Sequence, residues 1–150
     1  MGMNITASVE ISCKKEEVFS WINEPDKAMR WQKGVKGGEI LHETSQRIGT
    51  TFKEEMEENG KRLVMFGEIT DYIPNESISF QLESKIHRVH VKYVVAGGKG
   101  KSTVVMESTI NWKFPLNMIC LFIGHKIKAK IHQQTESEFA ALKRLCETIN

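Results

Sequence analysis

Two carboxylates sit where the surrounding pattern is apolar, and of all the residues in the chain they are best placed to do chemistry. Glu54 lies between Phe52 and Met56. In an alternating strand these three residues share one face, so an inward Phe52 and Met56 carry Glu54 inward with them. Glu138 belongs to a C-terminal stretch in which Leu116, Cys120, Ile127, Ile131, Leu142, Leu145 and Ile149 fall on one side of a helix. Gln134 and Thr135 fall on that same side with Glu138. A carboxyl group on an apolar face has its charged form penalised, so its pKa rises and it can act as an acid or a base. It can equally pair with a ligand hydroxyl, with Gln134 or with water. Three polar groups on a stripe that otherwise closes a core need partners. The pattern points to a helix whose ends pack a core and whose middle lines a cavity.

Other chemistries lack their residues. His42, His87, His90, His125 and His132 offer no metal pair on one helix face, since His125 and His132 stand two turns apart. No metal site is expected. Cys13, Cys120 and Cys146 are odd in number and lack C-x-x-C spacing, which fits reduced thiols in a cytosolic protein. There is no nucleophile elbow, phosphate-binding loop or dinucleotide fingerprint, and no cofactor is expected. The 21 basic and 19 acidic residues are interspersed, leaving a net charge of +2 and no nucleic-acid groove. The tightest basic cluster, His125, Lys126, Lys128, Lys130 and His132, lies off the apolar stripe and reads as a solvated face. Met1 to Ser8 lacks the basic start and apolar core of a secretory leader, so a cytoplasmic location is expected. The apolar run Phe114 to Gly124 contains Pro115 and Asn117 and is too short to span a bilayer, so no stable membrane insertion is expected.

A chain of 150 residues suits one domain over residues 1–150. Asn4 to Ser12 alternates as a half-buried strand. Lys15 to Ile22 carries helical spacing, Pro25 breaks it, and a second short helix follows at about Asp26 to Trp31. Strands are expected at Gly37 to Glu43, Thr50 to Glu57, Lys61 to Tyr72, Ser77 to Ser84, His87 to Ala96 and Lys101 to Lys113. Turns are expected at Asn59-Gly60, Pro74-Asn75 and Gly97-Gly98-Lys99-Gly100. Pro115 opens the last helix. Consecutive hairpins with helices at the chain ends predict an α+β fold: a curved antiparallel sheet of six or seven strands around a long C-terminal helix.

With each strand's apolar face turned inward, Phe52, Glu54, Met65, Phe80, Val91, Tyr93, Met106 and Ser108 line the wall, and Ile131, Gln134, Thr135 and Glu138 face them from the helix. An inner wall rich in Met and aromatic side chains suits an adaptable apolar pocket, and the same residues also suit an ordinary packed core. Trp31 either plugs the sheet mouth or anchors the core.

The order of elements, with certain residues, resembles the START-like helix-grip superfamily, and within it the polyketide cyclase/dehydrase type of bacterial protein. Val9-Glu10-Ile11 followed by Glu16-Glu17-Val18-Phe19-Ser20-Trp21-Ile22 is similar to that family's first strand and helix. Glu24-Pro25-Asp26 leading to Met29-Arg30-Trp31 resembles its D-P-x-x-x-x-W turn. Gly49-Thr50-Thr51-Phe52, Glu68 to Asn75 and Leu142 to Glu147 resemble the family's third-strand glycine, its E-V-x-x-Y-x-P-P segment and its helix ending. The resemblance implies a helix-grip fold and a cavity for a lipid, polyketide or other apolar compound, and it implies no universal catalytic residue. Binding of a small apolar or amphipathic ligand is therefore expected. The alternatives are a cyclase- or dehydrase-type enzyme using Glu54 or Glu138, and an interaction module in which Leu116 to Ile123 docks a partner or a membrane surface.

Overall fold

The computed structural model describes residues 2–58 and 60–149, with the side chains of Glu58 and Ile149 outside that description. Strand β1 (Met3–Ile11) leads into α1 (Lys15–Asn23) and α2 (Pro25–Ala28). Six strands follow: β2 (Val35–His42), β3 (Thr51–Glu58), β4 (Lys61–Ile73), β5 (Ser77–Glu83), β6 (His87–Gly98) and β7 (Lys101–Trp112). The chain closes with α3 (Leu116–Ile149). The seven strands form one antiparallel sheet in the order β1-β7-β6-β5-β4-β3-β2. This is the helix-grip α+β fold. Every expected strand is present, with ends shifted by a residue or two.

Turn chemistry explains the hairpins. Gly60 and Gly100 take positive φ, as does Asn75 in the β4–β5 turn, where the Glu76 amide donates to the Ile73 carbonyl. Asn59 lies outside the described residues. Gly97 is not part of the β6–β7 turn but of strand β6. A Cβ there would sit 2.4 Å from the Lys101 carbonyl oxygen, so only glycine lets the two strands close.

Burial follows the period of two. Ile5, Ala7 and Ile11 of β1, Met65 and Ile69 of β4, Val89, Tyr93 and Val95 of β6, and Val104, Met106 and Ile110 of β7 are buried on the inner face. From α3 they meet Phe139, Leu142 and Cys146. The helix lies along β1 and is tied there at both levels. The Glu147 carboxylate accepts from the Ser12 amide, Lys143 Nζ donates to the Glu10 carbonyl, and His132 Nε2 lies 3.1 Å from the Thr6 carbonyl.

The C-terminal helix is not continuous. Ile123 leaves helical geometry (φ −121°, ψ 15°), and Gly124 follows it, a residue type that lowers the cost of a kink. The second short helix stops at Ala28 and runs on as turns to Trp31. Trp31 is only 2% exposed, and its Nε1 donates to the Trp21 carbonyl at 2.9 Å. It stacks edge-on against Tyr93 at 6.2 Å and lies 6.1 Å from Phe139. It is an anchor between α1, the sheet and α3. Trp31→Ala is expected to lower unfolding free energy by about 3–5 kcal/mol, measured by urea denaturation. A loss under about 1 kcal/mol would show that the anchor carries little of the packing.

Candidate functional site

The principal cavity opens over the inner face of β3 to β6, beside β2 and away from β1, along which α3 lies. Its volume is about 540 Å3. One wall is the end of α1 with α2 and its following turn, through Ile22, Asn23, Ala28, Met29 and Gln32. The facing wall is the inner side of the sheet, through Phe52, Glu54, Ile69, Phe80, Leu82, Val91 and Tyr93. Strand β2 closes the side with Val35, Gly37, Gly38, Glu39 and Ile40. Gly67 on β4 keeps the floor low, because a Cβ there would lie 2.3 Å from the Phe52 ring and 2.8 Å from Leu82. The aromatic floor is a chain of edge-on contacts: Phe52 to Phe80 at 5.7 Å, then Phe80 to Tyr93 at 6.3 Å.

Among the polar residues that line this apolar space, two sets stand out by their interactions. Glu54 comes from the middle of β3, paired with Met65 on one side and Gly38 on the other. Burial pushes its carboxyl pKa up, and no opposing charge or hydrogen bond is among the causes. Tyr93 is buried and its phenol pKa is raised, first by burial and then by the charges of Glu138 and Glu54, while a hydrogen bond with Gln32 works the other way. Glu54, Tyr93 and Gln32 therefore form one polar group of the cavity. The second is Arg47, whose guanidinium bonds the side chain and carbonyl of Asn23 and stacks 5.5 Å over Tyr72.

Of the wall expected from sequence, Phe52, Glu54, Phe80, Val91 and Tyr93 line the cavity, and Met65, Met106, Ser108, Ile131, Gln134, Thr135 and Glu138 do not. The cavity expected between sheet and C-terminal helix is displaced towards α2. The physical reason is that the gap between α3 and the sheet is filled by Trp31, Tyr93 and Phe139. Each polar residue of the helix is used in another way. The Thr135 hydroxyl donates to the Ile131 carbonyl one turn back. The Glu138 carboxylate accepts the Lys33 backbone amide at 2.8 Å and bonds Gln134. Its pKa is raised by burial, against the pull of those hydrogen bonds and of the Lys33 charge. Glu138 thus latches the turn after α2 to α3. Sequence reasoning missed Gln32, Met29 and Arg47; the first two stand beside Trp31, already marked as a mouth residue, while Arg47 in its loop carried no signal.

Among the described residues, no three His, Cys, Asp or Glu side chains converge where a metal could sit.

A helix-grip sheet with a lined cavity is the frame against which known proteins compare. Residues 3–147 match the family model described as polyketide cyclase / dehydrase and lipid transport. The chain belongs to this family. Its fold is START-like, similar to a START superfamily protein from Mycobacterium smegmatis at 16% identity and a TM-score of 0.82, covering 98% of this chain and 99% of that one. A protein from Thermus thermophilus is similar at 16% identity and a TM-score of 0.79, with 95% of each chain covered. An aromatase/cyclase from a Streptomyces species is similar at 11% identity and a TM-score of 0.78, covering 98% of this chain and 94% of that one. No curated protein matches the sequence.

The raised pKa of Glu54 has a sign in stability. The folded state holds that proton more tightly than the unfolded chain. The group's contribution is therefore fully present below the unfolded carboxyl pKa of about 4.3 and is lost as pH rises through the higher folded pKa. Glu54→Gln removes the titration. Urea melts at a series of pH values should show wild type losing stability relative to the variant as pH rises above the unfolded carboxyl pKa of about 4.3. A constant difference across that range would mean that Glu54 is well solvated in the folded protein.

Proposed function

We propose that the protein acts as one ligand-binding unit, in the cytoplasm, that reversibly holds a small amphipathic molecule of lipid or polyketide type in the cavity between α2 and the sheet. The observation that carries this reading is the cavity of about 540 Å3 with its aromatic floor, inside the range of about 300 to 1,000 Å3 that small-molecule sites occupy. Family membership supports it, since the fold is one that holds hydrophobic ligands. Apolar contact with Phe52, Phe80, Leu82 and Val91 supplies affinity. Glu54 and the Gln32–Tyr93 pair orient a hydroxyl or carbonyl of the ligand.

The unpaired, desolvated Glu54 favours a second reading. A carboxyl that holds its proton at higher pH beside a phenol can shift a proton on a bound polyketide-like substrate, as a cyclase or dehydrase requires. Among the described residues no side chain is hydrogen-bonded or ion-paired to Glu54, which makes binding the stronger reading.

Native mass spectrometry of freshly purified protein, looking for a co-purified small molecule, tests the binding. Phe80→Trp fills free space from the floor and leaves the surrounding core in place. It is expected to weaken binding of a neutral apolar dye, N-phenyl-1-naphthylamine, by about tenfold or more, with the melting temperature unchanged or raised. Unchanged dye affinity in a folded Phe80→Trp protein would remove the cavity as the binding site. For the second reading, Glu54→Gln should lower turnover of a candidate substrate by about a hundredfold while its affinity stays close to wild type. If the variant changes affinity alone and no ligand is transformed, the protein is a binder.

A further inference from the structure

Large apolar side chains crowd the surface at the start of α3. Phe114 is 75% exposed, Leu121 and Phe122 are each 80% exposed, and Met118, Ile119 and Ile123 are exposed with them. Side chains of this size at this exposure are normally covered by something, and so dense a cluster marks a contact surface. The neighbouring charge says what covers it. From Ser108 to Thr135 there is no acidic residue, and Lys113, which is paired with Glu83 at 2.9 Å, falls in that stretch with Lys126, Lys128 and Lys130. This segment therefore carries +4, and the remainder of the chain, whose total is +2, carries +2 − 4 = −2. Lys126, Lys128 and Lys130 are exposed.

The two features are set at different depths along one element. The break at Ile123 separates the apolar first turns from the basic turns that follow. At the rise of a helix, Lys126 and Lys130 stand roughly 6 and 12 Å beyond Phe122. With the axis of these turns steeply inclined to the bilayer plane, an offset of that order lets the apolar turns sit roughly 5–10 Å below the headgroups while the lysines stay at their level. Among the described residues no helix is long and apolar enough to cross a membrane, so such a segment engages one face of a bilayer.

We propose that Phe114 and the first two turns of α3 dock into the surface of an anionic phospholipid bilayer, with Lys126, Lys128 and Lys130 at the level of the lipid phosphates. A second copy of the chain is the poorer occupant. A two-fold contact through this patch would bring the same uncompensated lysines together from both sides. The proposal stands on the surface of α3 and does not depend on what the cavity holds. If both hold, the protein collects its ligand at the membrane.

Sedimentation with large vesicles tests it, using phosphatidylcholine alone and phosphatidylcholine with about a third phosphatidylglycerol. Wild type is expected to partition onto the anionic vesicles at least about tenfold more strongly than onto neutral ones, and less strongly as salt is raised. The double variant Leu121→Asp/Phe122→Asp and the triple variant Lys126→Gln/Lys128→Gln/Lys130→Gln should each lose most of that binding while keeping dye affinity in the cavity. All five positions are exposed, so folding is not at stake. Equal binding to both vesicle types, no binding by wild type, or unaltered binding by the two variants would overturn the proposal. So would light scattering that shows a wild-type dimer, converted to monomer by Leu121→Asp/Phe122→Asp, with no vesicle binding. Phe80→Trp separates the two readings: loss of dye binding there leaves vesicle binding intact, and vesicle binding can fail with the cavity still loaded.

Discussion

The contact on which the cavity depends is the aromatic wedge of Trp31, Tyr93 and Phe139. Three large rings from the turn after α2, from β6 and from α3 meet at centroid distances of 6.1 to 6.4 Å. Rings of this size in edge-on and tilted contact resist compression. They fix the height at which the helices stand above the sheet. The Trp31 indole is also tied to the Trp21 carbonyl, so α1 and the turn after α2 move as one piece. Glu138 adds a second tie from the α3 side through the Lys33 amide. With that corner held open, the inner face of β3 to β5 has nothing large enough to fill the space opposite it, and a cavity remains.

The same wedge divides the two polar carboxylates by role. Both are desolvated, and both lie near enough to the Tyr93 phenol to push its pKa up. Glu138 receives a backbone amide, the hydrogen bond of Gln134 and the attraction of Lys33, all of which favour its charged form. Glu54 has burial alone. A carboxyl left in an apolar wall without compensation is a cost to the folded protein, and under the proposed binding a polar group of the ligand would offset it. This asymmetry could not be read from sequence, where the two residues were equivalent candidates.

Much of the fold was legible because strands have a period of two and one face is buried. The alternation in Ile5-Ala7-Val9-Ile11 and in Val89-Val91-Tyr93-Val95 assigns the inner face of the sheet, and register then follows from the glycine and asparagine turns. The site was less legible for two reasons. A helical wheel says which side of α3 turns inward, but not which surface that side meets. Phe139, adjacent to Glu138 and in step with Leu142, was the signal that this side is packed. The β2 strand and the turn after α2 close the cavity through Gly38, Val35, Met29 and Gln32, residues whose spacing has no period to reveal it. The kink at Ile123 was foreshadowed only by Gly124, and a run as apolar as Leu116 to Ile123 gives no sign from within that it lies exposed.

The exposed run and the cavity impose opposite demands on one helix. The C-terminal half of α3 must be rigid, since Phe139 supports the wedge and Leu142 and Cys146 close the core with no exposure at all. The first turns, by contrast, carry the exposed apolar side chains of α3. A Cβ on Gly124 would meet Cys120 of its own helix at 3.6 Å and Met3 of β1 at 3.9 Å, while Leu121 and Phe122 are each 80% exposed. Continuous helical geometry would carry the orientation of the buried half into the exposed half. The break at Ile123 gives the first turns a direction of their own. One element is thereby a structural pillar at one end and an exposed apolar surface at the other. The change of role falls where the sequence turns from apolar to basic.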